Sequence, residues 1–367
     1  MFFKNRRRLG FILALFILFS QSCLSVYGTE IINEDDASFS DGAEYSGEYE
    51  EYPEEEYEFN DVNIRDDDTG ENTDDYPVLM SEPDASELTA SDPPTVSVST
   101  DGKILRVSYI NVGHGDSILI EYGGEAVLVD GGENGKGQIV SDYIKQKGYK
   151  KLKMIIATHP HNDHVGGLPA VLSEFECDSI ISARSKENSL KNKGLTAEYK
   201  PFLEAVKNKG LNIEYPSKGT EYKIGLSDNK ISIKILGPLK VSKNINNNSL
   251  AFMLTFGSNK FLFVGDAENK EERDLVKSLG AENLKCDVYK AAHHGMNDST
   301  SKLFLDTVNP TYSVISCDKN SKWKSPGKSC IKRLKKKSIK TFRTDSKGTI
   351  VATSDGTNIT WNTSPDF

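Results

Sequence analysis

Short blocks of apolar residues recur along the chain after residue 102, separated by glycine-rich turns and by longer segments with helical spacing. Residues 103–110 alternate between polar and apolar side chains, which predicts a half-buried strand, and the apolar block at 153–157 predicts a buried one. Residues 137–147, 196–209 and 327–337 are predicted to be helices. Strands and helices that alternate in this way favour an α/β fold class.

Residues with metal-binding or acid–base chemistry directly follow four of the predicted strands. The four places are Asp130, the histidine-rich segment 158–167, Asp266 and the pair His293-His294. In α/β folds, ligands usually bind outside the carboxyl ends of strands. We therefore expect these side chains to meet at one edge of the fold.

Three of the six histidines of the chain fall within the histidine-rich segment. His159, His161 and His164, together with Asp163, provide imidazole and carboxylate groups at a density that suits a divalent transition metal such as zinc. Asp266 is a further carboxylate at the end of a predicted strand. The competing interpretation is a polar loop that is rich in histidine and binds no metal.

Five motifs occur in a fixed order along the chain. They are NVGHGDSILI at 111–120, LVDGG at 128–132, ATHPHNDHVGG at 157–167, GDA at 265–267 and HHG at 293–295. In this order they resemble the metallo-β-lactamase superfamily and, within it, the nuclease-like hydrolase domain of the ComEC/Rec2 competence proteins. They are also similar to the secreted phosphorylcholine esterases. The resemblance implies a four-layer αββα sandwich with the site at one edge, between the two sheets.

The resemblance also implies two divalent metal ions, zinc or manganese, and a role for each matching residue. The metal ligands would be His159, His161, Asp163, His164, Asp266 and His293. Asp266 would be the bridging ligand, because one carboxylate can link two cations and hold them close enough to share a hydroxide. Asp163, His294 and Asp130 would act in catalysis, and Asp116, Asn247, Ser249 and Ser325 would lie behind the ligands or contact the substrate. Which of His293 and His294 is a ligand is left open, with His293 favoured.

The chain departs from the pattern of these relatives at several positions. They commonly carry Asp and Gln where this chain has Asn111 and His114, and Ser where it has Met296. His114 is therefore either an additional residue of the site or a hydrogen-bonded histidine of a loop.

One expected ligand is missing. The relatives carry a His-Pro where this chain has Ser325-Pro326, and no histidine follows His294. This substitution puts one of the two metal positions in doubt, the one shared with Asp163 and His164. Cys317 or Asp318 could compensate, or that ion would bind weakly.

The first 95 residues are expected to contribute no part of the fold. Residues 1–28 combine four basic residues with an apolar run that is too short to span a bilayer, which predicts a signal peptide, with an uncleaved membrane anchor as the alternative. Residues 30–95 hold 24 acidic side chains and one basic one, so the segment 29–95 is predicted to be a disordered acidic linker. The hydrolase domain is predicted to span 96–367.

The acidic linker hides the charge of the predicted domain. Residues 96–367 keep 40 basic and 30 acidic side chains, a net charge of +10. A basic domain favours an anionic partner, here nucleic acid or a phosphorylated wall polymer. No integral membrane channel and no specific protein partner are predicted, and the expected location is outside the cell or at the cell envelope.

These expectations combine into one functional hypothesis and one alternative. The first is a secreted metal-dependent hydrolase, a phosphodiesterase or nuclease-like enzyme that uses a metal-bound hydroxide. The alternative is a non-catalytic metal-containing protein that binds DNA or teichoic acid and whose second metal site is degenerate because of Ser325.

Overall fold

A computed structural model describes residues 102–184, 199–226 and 230–367. The predicted signal peptide, the predicted linker and the first residues of the helix predicted over 196–209 lie outside the described residues. None of the helices that the structure describes has both the length and the apolar character needed to cross a membrane.

The described residues form seventeen strands and eight α-helices. The strands are β1 (Leu105–Tyr109), β2 (Ile118–Tyr122), β3 (Glu125–Val129), β4 (Lys151–Leu152), β5 (Met154–Ala157), β6 (Glu176–Cys177), β7 (Ile180–Ser182), β8 (Ile213–Glu214), β9 (Glu221–Ile224), β10 (Ile231–Gly237), β11 (Ala251–Phe256), β12 (Asn259–Phe263), β13 (Val288–Lys290), β14 (Tyr312–Ile315), β15 (Lys340–Arg343), β16 (Ile350–Ser354) and β17 (Ile359–Trp361). The helices are α1 (Gly137–Gln146), α2 (Asn162–Val165), α3 (Leu168–Glu174), α4 (Tyr199–Asn208), α5 (Asn269–Leu284), α6 (Lys302–Val308), α7 (Lys328–Lys336) and α8 (Thr344–Lys347). The sequence predicts one helix over 165–175, where the structure has α2 and α3.

Two mixed sheets make up the centre of the fold. The first has the strand order β17-β16-β1-β2-β3-β5-β7-β8 and the second has the order β15-β14-β13-β12-β11-β10-β9, while β4 and β6 pair separately. Strands β3, β5, β7 and β8 run parallel to one another, as do β12, β13, β14 and β15. Parallel strands bring their carboxyl ends to one edge of a sheet, and this geometry gathers the loops that follow β5, β12 and β13.

The core follows the two-residue period of the strands. Alternate side chains, such as Ile120 of β2 and Phe252 of β11, pack between the two sheets. The intervening side chains face outwards: Leu119 packs with α1, α3 and α4, and Leu262 packs with α5, α6 and α7. The order of layers is helices, sheet, sheet, helices, which confirms the predicted αββα sandwich.

Candidate metal centre

All six histidines of the chain lie at one edge of the sandwich, where loops from both sheets meet. They come from the loops that follow β1, β5 and β13. Between ring centroids, His114 lies 4.6 Å from His294, and His294 lies 5.2 Å from His164. Three distant parts of the sequence therefore form a single cluster.

The histidine-rich loop after β5 is shaped by a turn and by a close backbone contact. The backbone of His161 is extended, and α2 begins at the next residue. The rings of His159 and His161 meet edge to face, with centroids 4.8 Å apart and Nε2 of the first 3.1 Å from Nδ1 of the second. A Cβ at Gly167 would lie 2.0 Å from the carbonyl oxygen of Gly131. Glycine at 167 thus lets this loop pack against the loop that carries Asp130.

Two groups of donor atoms share one carboxylate. The first group is His159, His161 and Asp266, and the second is Asp163, His164, Asp266 and His294. In the second group, Oδ2 of Asp266 lies 3.2 Å from Nε2 of His164 and 3.5 Å from Nε2 of His294. The shared position of Asp266 is the one that its predicted bridging role requires.

Buried polar atoms without hydrogen bonds show that the cluster suits cations. Among the described residues, Nε2 of His164, Nε2 of His294 and Oδ1 of Asp266 are buried and have no hydrogen-bond partner. An unsatisfied buried polar group costs about 1–3 kcal/mol, and a cation between these atoms would remove that cost. Imidazole nitrogen and carboxylate oxygen are ligand atoms for zinc and manganese. The residues present therefore fit two divalent ions.

Asp130 holds the ring of His164 from behind. Its Oδ2 lies 2.8 Å from Nδ1 of His164, and its Oδ1 accepts a hydrogen bond of 2.8 Å from the backbone N–H of Thr158. This contact fixes the ring so that Nε2 faces the cluster. Burial lowers the pKa of His164, but the carboxylates of Asp266, Asp130 and Asp163 together raise it well above its ordinary value. The same negative charge favours a metal ion in place of a proton.

A buried ion pair supports His294. The ammonium of Lys290 lies 2.9 Å from Oδ1 of Asp116, and both side chains are almost fully buried. The same oxygen lies 3.5 Å from Nδ1 of His294. Burial raises the pKa of Asp116, but Lys290 and His294 hold it well below its usual range. Sequence reasoning missed Lys290, although a lysine inside an otherwise apolar predicted strand is a signal that could have found it.

The structure places the two consecutive histidines differently from each other. Both have positive φ angles, 50° for His293 and 54° for His294. His294 belongs to the second donor group, with its Nε2 3.0 Å from Oδ2 of Asp163. His293 forms another group with Glu268 and Asp298, and its Nε2 lies 3.9 Å from Asp266. The sequence favours His293 as a ligand, whereas the geometry brings His294 among the donors and leaves His293 at the rim, because two successive left-handed residues turn the two rings apart.

Ser249 contacts the donor groups and Asn247 supports them indirectly. The hydroxyl of Ser249 lies 3.3 Å from Nδ1 of His159 and accepts a 2.9 Å hydrogen bond from the N–H of Asp266. Asn247 accepts a hydrogen bond from the N–H of Glu268, so it anchors the loop after β12. No hydrogen bond joins Asn247 to a predicted ligand among the described residues.

Ser325 is buried beside the second donor group and contacts a histidine. Its hydroxyl lies 3.3 Å from Nδ1 of His114, whose Nε2 lies 3.3 Å from Oδ2 of Asp163. The two residues proposed to compensate for a missing histidine are engaged elsewhere: Cys317 contacts Asp345, and Asp318 accepts a hydrogen bond from the N–H of Asn320. Neither belongs to a donor group among the described residues.

A cleft opens over the donor groups, and a basic groove lies beside it. The cleft has a volume of about 510 Å³ and is lined in part by His161, Asp163 and Asp266, with Trp323 at its wall. The neighbouring groove, of about 750 Å³, is lined mainly by basic side chains. These are Lys319, Lys324, Lys328, Lys332, Lys335, Lys336 and Arg343. The segment 322–326 contributes to both: Lys322 and Trp323 line the cleft, and Lys324, Ser325 and Pro326 line the groove.

The chain matches known proteins over most of its described part. The family model of the metallo-beta-lactamase superfamily matches residues 110–318. ComE operon protein 3 of Bacillus subtilis (strain 168) is 26% identical over 264 residues, which cover 67% of this chain and 32% of that protein. Ribonuclease Z of Clostridium beijerinckii is 46% identical over 90 residues, which cover 23% of this chain and 28% of that protein.

A solved structure, the metallo-beta-lactamase fold protein YhfI of Bacillus subtilis, has a TM-score of 0.45 at 12% identity, and the match covers 69% of this chain and 100% of that one. The chain spans about a third of the length of the two curated relatives.

Proposed function

Since this chain belongs to the metallo-beta-lactamase superfamily, we propose that it is a metal-dependent hydrolase that cleaves phosphodiesters. The observation that carries the proposal is the pair of donor groups that share Asp266. A shared carboxylate suits two ions that act together on one substrate. The match to a protein named Ribonuclease Z supports a phosphodiester as the bond that is cleaved.

Different side chains would have different roles in such a reaction. Two bound divalent ions would polarise a phosphoryl oxygen and lower the pKa of a water molecule to about 7. Asp130 and Ser249 orient the rings of His164 and His159, and the carbonyl of Ser316, 3.2 Å from Nδ1 of His294, orients the third ring. The donors are therefore in place before substrate arrives. Asp163 faces the cleft with its Oδ2 near His294 and His114, where it can hold the attacking group in position.

The basic groove supports an anionic polymer as the substrate. Lys328, Lys332 and Lys336 are exposed and lie at four-residue intervals on α7, which places them on one face of the helix. No carboxylate lies within ion-pair distance of these three among the described residues. We propose a nucleic acid as the first candidate, because a relative is a ComE operon protein, and a phosphorylated wall polymer as the second. The signal-peptide pattern of residues 1–28 supports action outside the cell or at its envelope.

The proposal is tested by metal content and turnover together. The full chain, purified and supplied with zinc or manganese, should hold about two ions by mass spectrometry and hydrolyse bis-p-nitrophenyl phosphate. His161→Ala should abolish turnover because it removes one of three donors in the first group, and Lys200→Gln, on the exposed face of α4, should have no effect. A chain that holds one ion or none and hydrolyses no phosphodiester under either cation would favour the non-catalytic binding protein.

The lysines of α7 should control the salt dependence of polymer binding. The variant Lys328→Gln/Lys332→Gln/Lys336→Gln should bind a single-stranded oligonucleotide more weakly at low salt. Each lost phosphate contact contributes about 0.7–0.9 to the slope of log affinity against log salt, so the slope should fall by about 2–3.

The matched control carries the same charge change on the opposite outer layer of the sandwich. It is Lys150→Gln/Lys200→Gln/Lys207→Gln, which removes three exposed lysines near α1 and on α4. The control should keep the slope of the native chain. An equal decrease of the salt slope in both variants would mean that the attraction comes from the overall charge of the protein and not from the groove. Purified teichoic acid, used as a competitor, distinguishes the two candidate polymers.

A further inference from the structure

We infer that His114 is a ligand of the ion held by Asp163 and His294. The inference rests on the proposed metal centre and adds a residue that the two donor groups do not contain. It explains how the second metal position can be complete although Ser325 stands where a histidine is expected.

The distances around Asp163 carry the first step. Oδ2 of Asp163 lies 3.3 Å from Nε2 of His114 and 3.0 Å from Nε2 of His294. Two ligand atoms on one ion, each about 2.0–2.2 Å from it, are separated by about 3.2–3.6 Å in a tetrahedral arrangement. The ring nitrogens of both histidines thus approach one carboxylate oxygen at about the spacing of ligands that share an ion.

The orientation of the His114 ring carries the second step. Ser325 is buried, and its hydroxyl lies 3.3 Å from Nδ1 of His114. The hydroxyl oxygen can accept a hydrogen bond from Nδ1–H of His114. In that tautomer Nε2 carries the lone pair, which is directed at Asp163 and the cleft. This is the arrangement found around metal-binding histidines, in which the second ring nitrogen donates a hydrogen bond. Ser325 is therefore not a ligand itself but would hold the ring of His114 in the orientation that a ligand needs.

The backbone holds the His114 loop against the loop of Asp163. The N–H of Asp116 donates a 3.1 Å hydrogen bond to the carbonyl of Asp163. Gly115 has a φ of +116°, and a Cβ there would lie 2.3 Å from the same carbonyl oxygen. The two loops are therefore in direct backbone contact, which fixes the backbone that follows His114 relative to Asp163.

The competing role for His114 is that of a hydrogen-bonded loop histidine. A glutamine at this position can donate a hydrogen bond to Asp163 and accept one from Ser325, but its amide is a poor ligand for zinc. His114→Gln therefore keeps the hydrogen bonds and removes the ring nitrogen. The reciprocal variant His114→Gln/Ser325→His moves the imidazole from position 114 to the neighbouring position 325.

The test measures zinc affinity of the full chain by competition with a chromophoric chelator. The native chain should hold two ions, and His114→Gln should weaken one of them by at least about 10-fold while leaving the other unchanged. The reciprocal variant should regain the lost affinity. With Co²⁺ as a second probe, His114→Gln should change the visible absorption of one ion, because its coordination changes. Circular dichroism verifies that each variant is folded.

Each result has a defined meaning. Native affinity for both ions and an unchanged cobalt spectrum in His114→Gln would overturn the inference, and a reciprocal variant that stays weak would overturn the exchange between positions 114 and 325. A native chain with two ions but no phosphodiesterase activity would contradict the proposed function and leave His114 as a ligand. A native chain with fewer than two ions would contradict both.

Discussion

Asp266→Ala should almost abolish phosphodiester hydrolysis and should remove metal from both donor groups. Asp266 is the only residue common to both donor groups of the described residues, and it is almost completely buried. Its loss removes a ligand from each ion at once, so metal content should fall below two per chain. We expect turnover to fall by on the order of 10⁴–10⁶-fold, the range seen when one member of a catalytic unit is removed.

The control for this variant removes a carboxylate outside the cluster. Asp274→Ala, on the partly exposed surface of α5, should keep both ions and native turnover. Metal content by mass spectrometry and the initial rate with bis-p-nitrophenyl phosphate are measured on the same samples. An Asp266→Ala chain with native activity would rule out a two-metal mechanism that depends on a shared carboxylate.

Lys290→Met should cause the largest loss of stability among the variants described. Lys290 and Asp116 form an ion pair with almost no exposure to solvent. Removing one partner leaves the other charge buried without compensation, which typically costs about 3–5 kcal/mol. The free energy of unfolding, measured by urea denaturation with a chelator present, should fall by about that amount. The chelator keeps differences in metal binding from contributing to the measurement.

The double variant Lys290→Met/Asp116→Asn supplies the control. It removes both charges and should recover most of the lost stability, because replacing a buried ion pair by neutral groups of similar size is often close to neutral. A double variant as unstable as the single one would show that Lys290 acts through packing instead of charge.

The deficit of Lys290→Met should also depend on pH. In the native chain the pKa of Asp116 is lowered by Lys290, so the carboxylate stabilises the fold above its unfolded pKa of about 3.9, and this contribution is lost as pH falls through the folded pKa. Without Lys290, burial should raise the folded pKa of Asp116 above the unfolded value. The group then stabilises the fold at low pH and loses that effect as pH rises through its folded pKa. The deficit should therefore be smaller at pH 5 than at pH 8.

Local sequence patterns predicted the elements and the place of the site, because both depend on short-range features. The predicted helices at 137–147 and 327–337 correspond to α1 and α7, and the residues after β5, β12 and β13 meet at one edge as expected. The helix predicted from Val165 was wrong in its extent: the structure has two helices there, because Gly166 and Gly167 form the junction where the backbone approaches its neighbour closely.

Other features depend on contacts between distant residues, and no local pattern contains them. Which of two adjacent histidines faces the donors depends on two left-handed backbone conformations, which periodicity does not report. The contact between His114 and Ser325 joins residues 211 positions apart. The pairing of Lys290 with Asp116 requires that strands of different sheets are already packed together.

The second donor group draws Asp163 and His164 from a loop of the first sheet, and Asp266 and His294 from loops of the second. An ion bound there would connect the two sheets as well as take part in the reaction. Its binding energy adds to the work needed to separate them, by an amount that grows with the logarithm of the free metal concentration. The resistance of this chain to unfolding and proteolysis should therefore depend on the free metal concentration, and loss of metal should lower its stability as well as its activity.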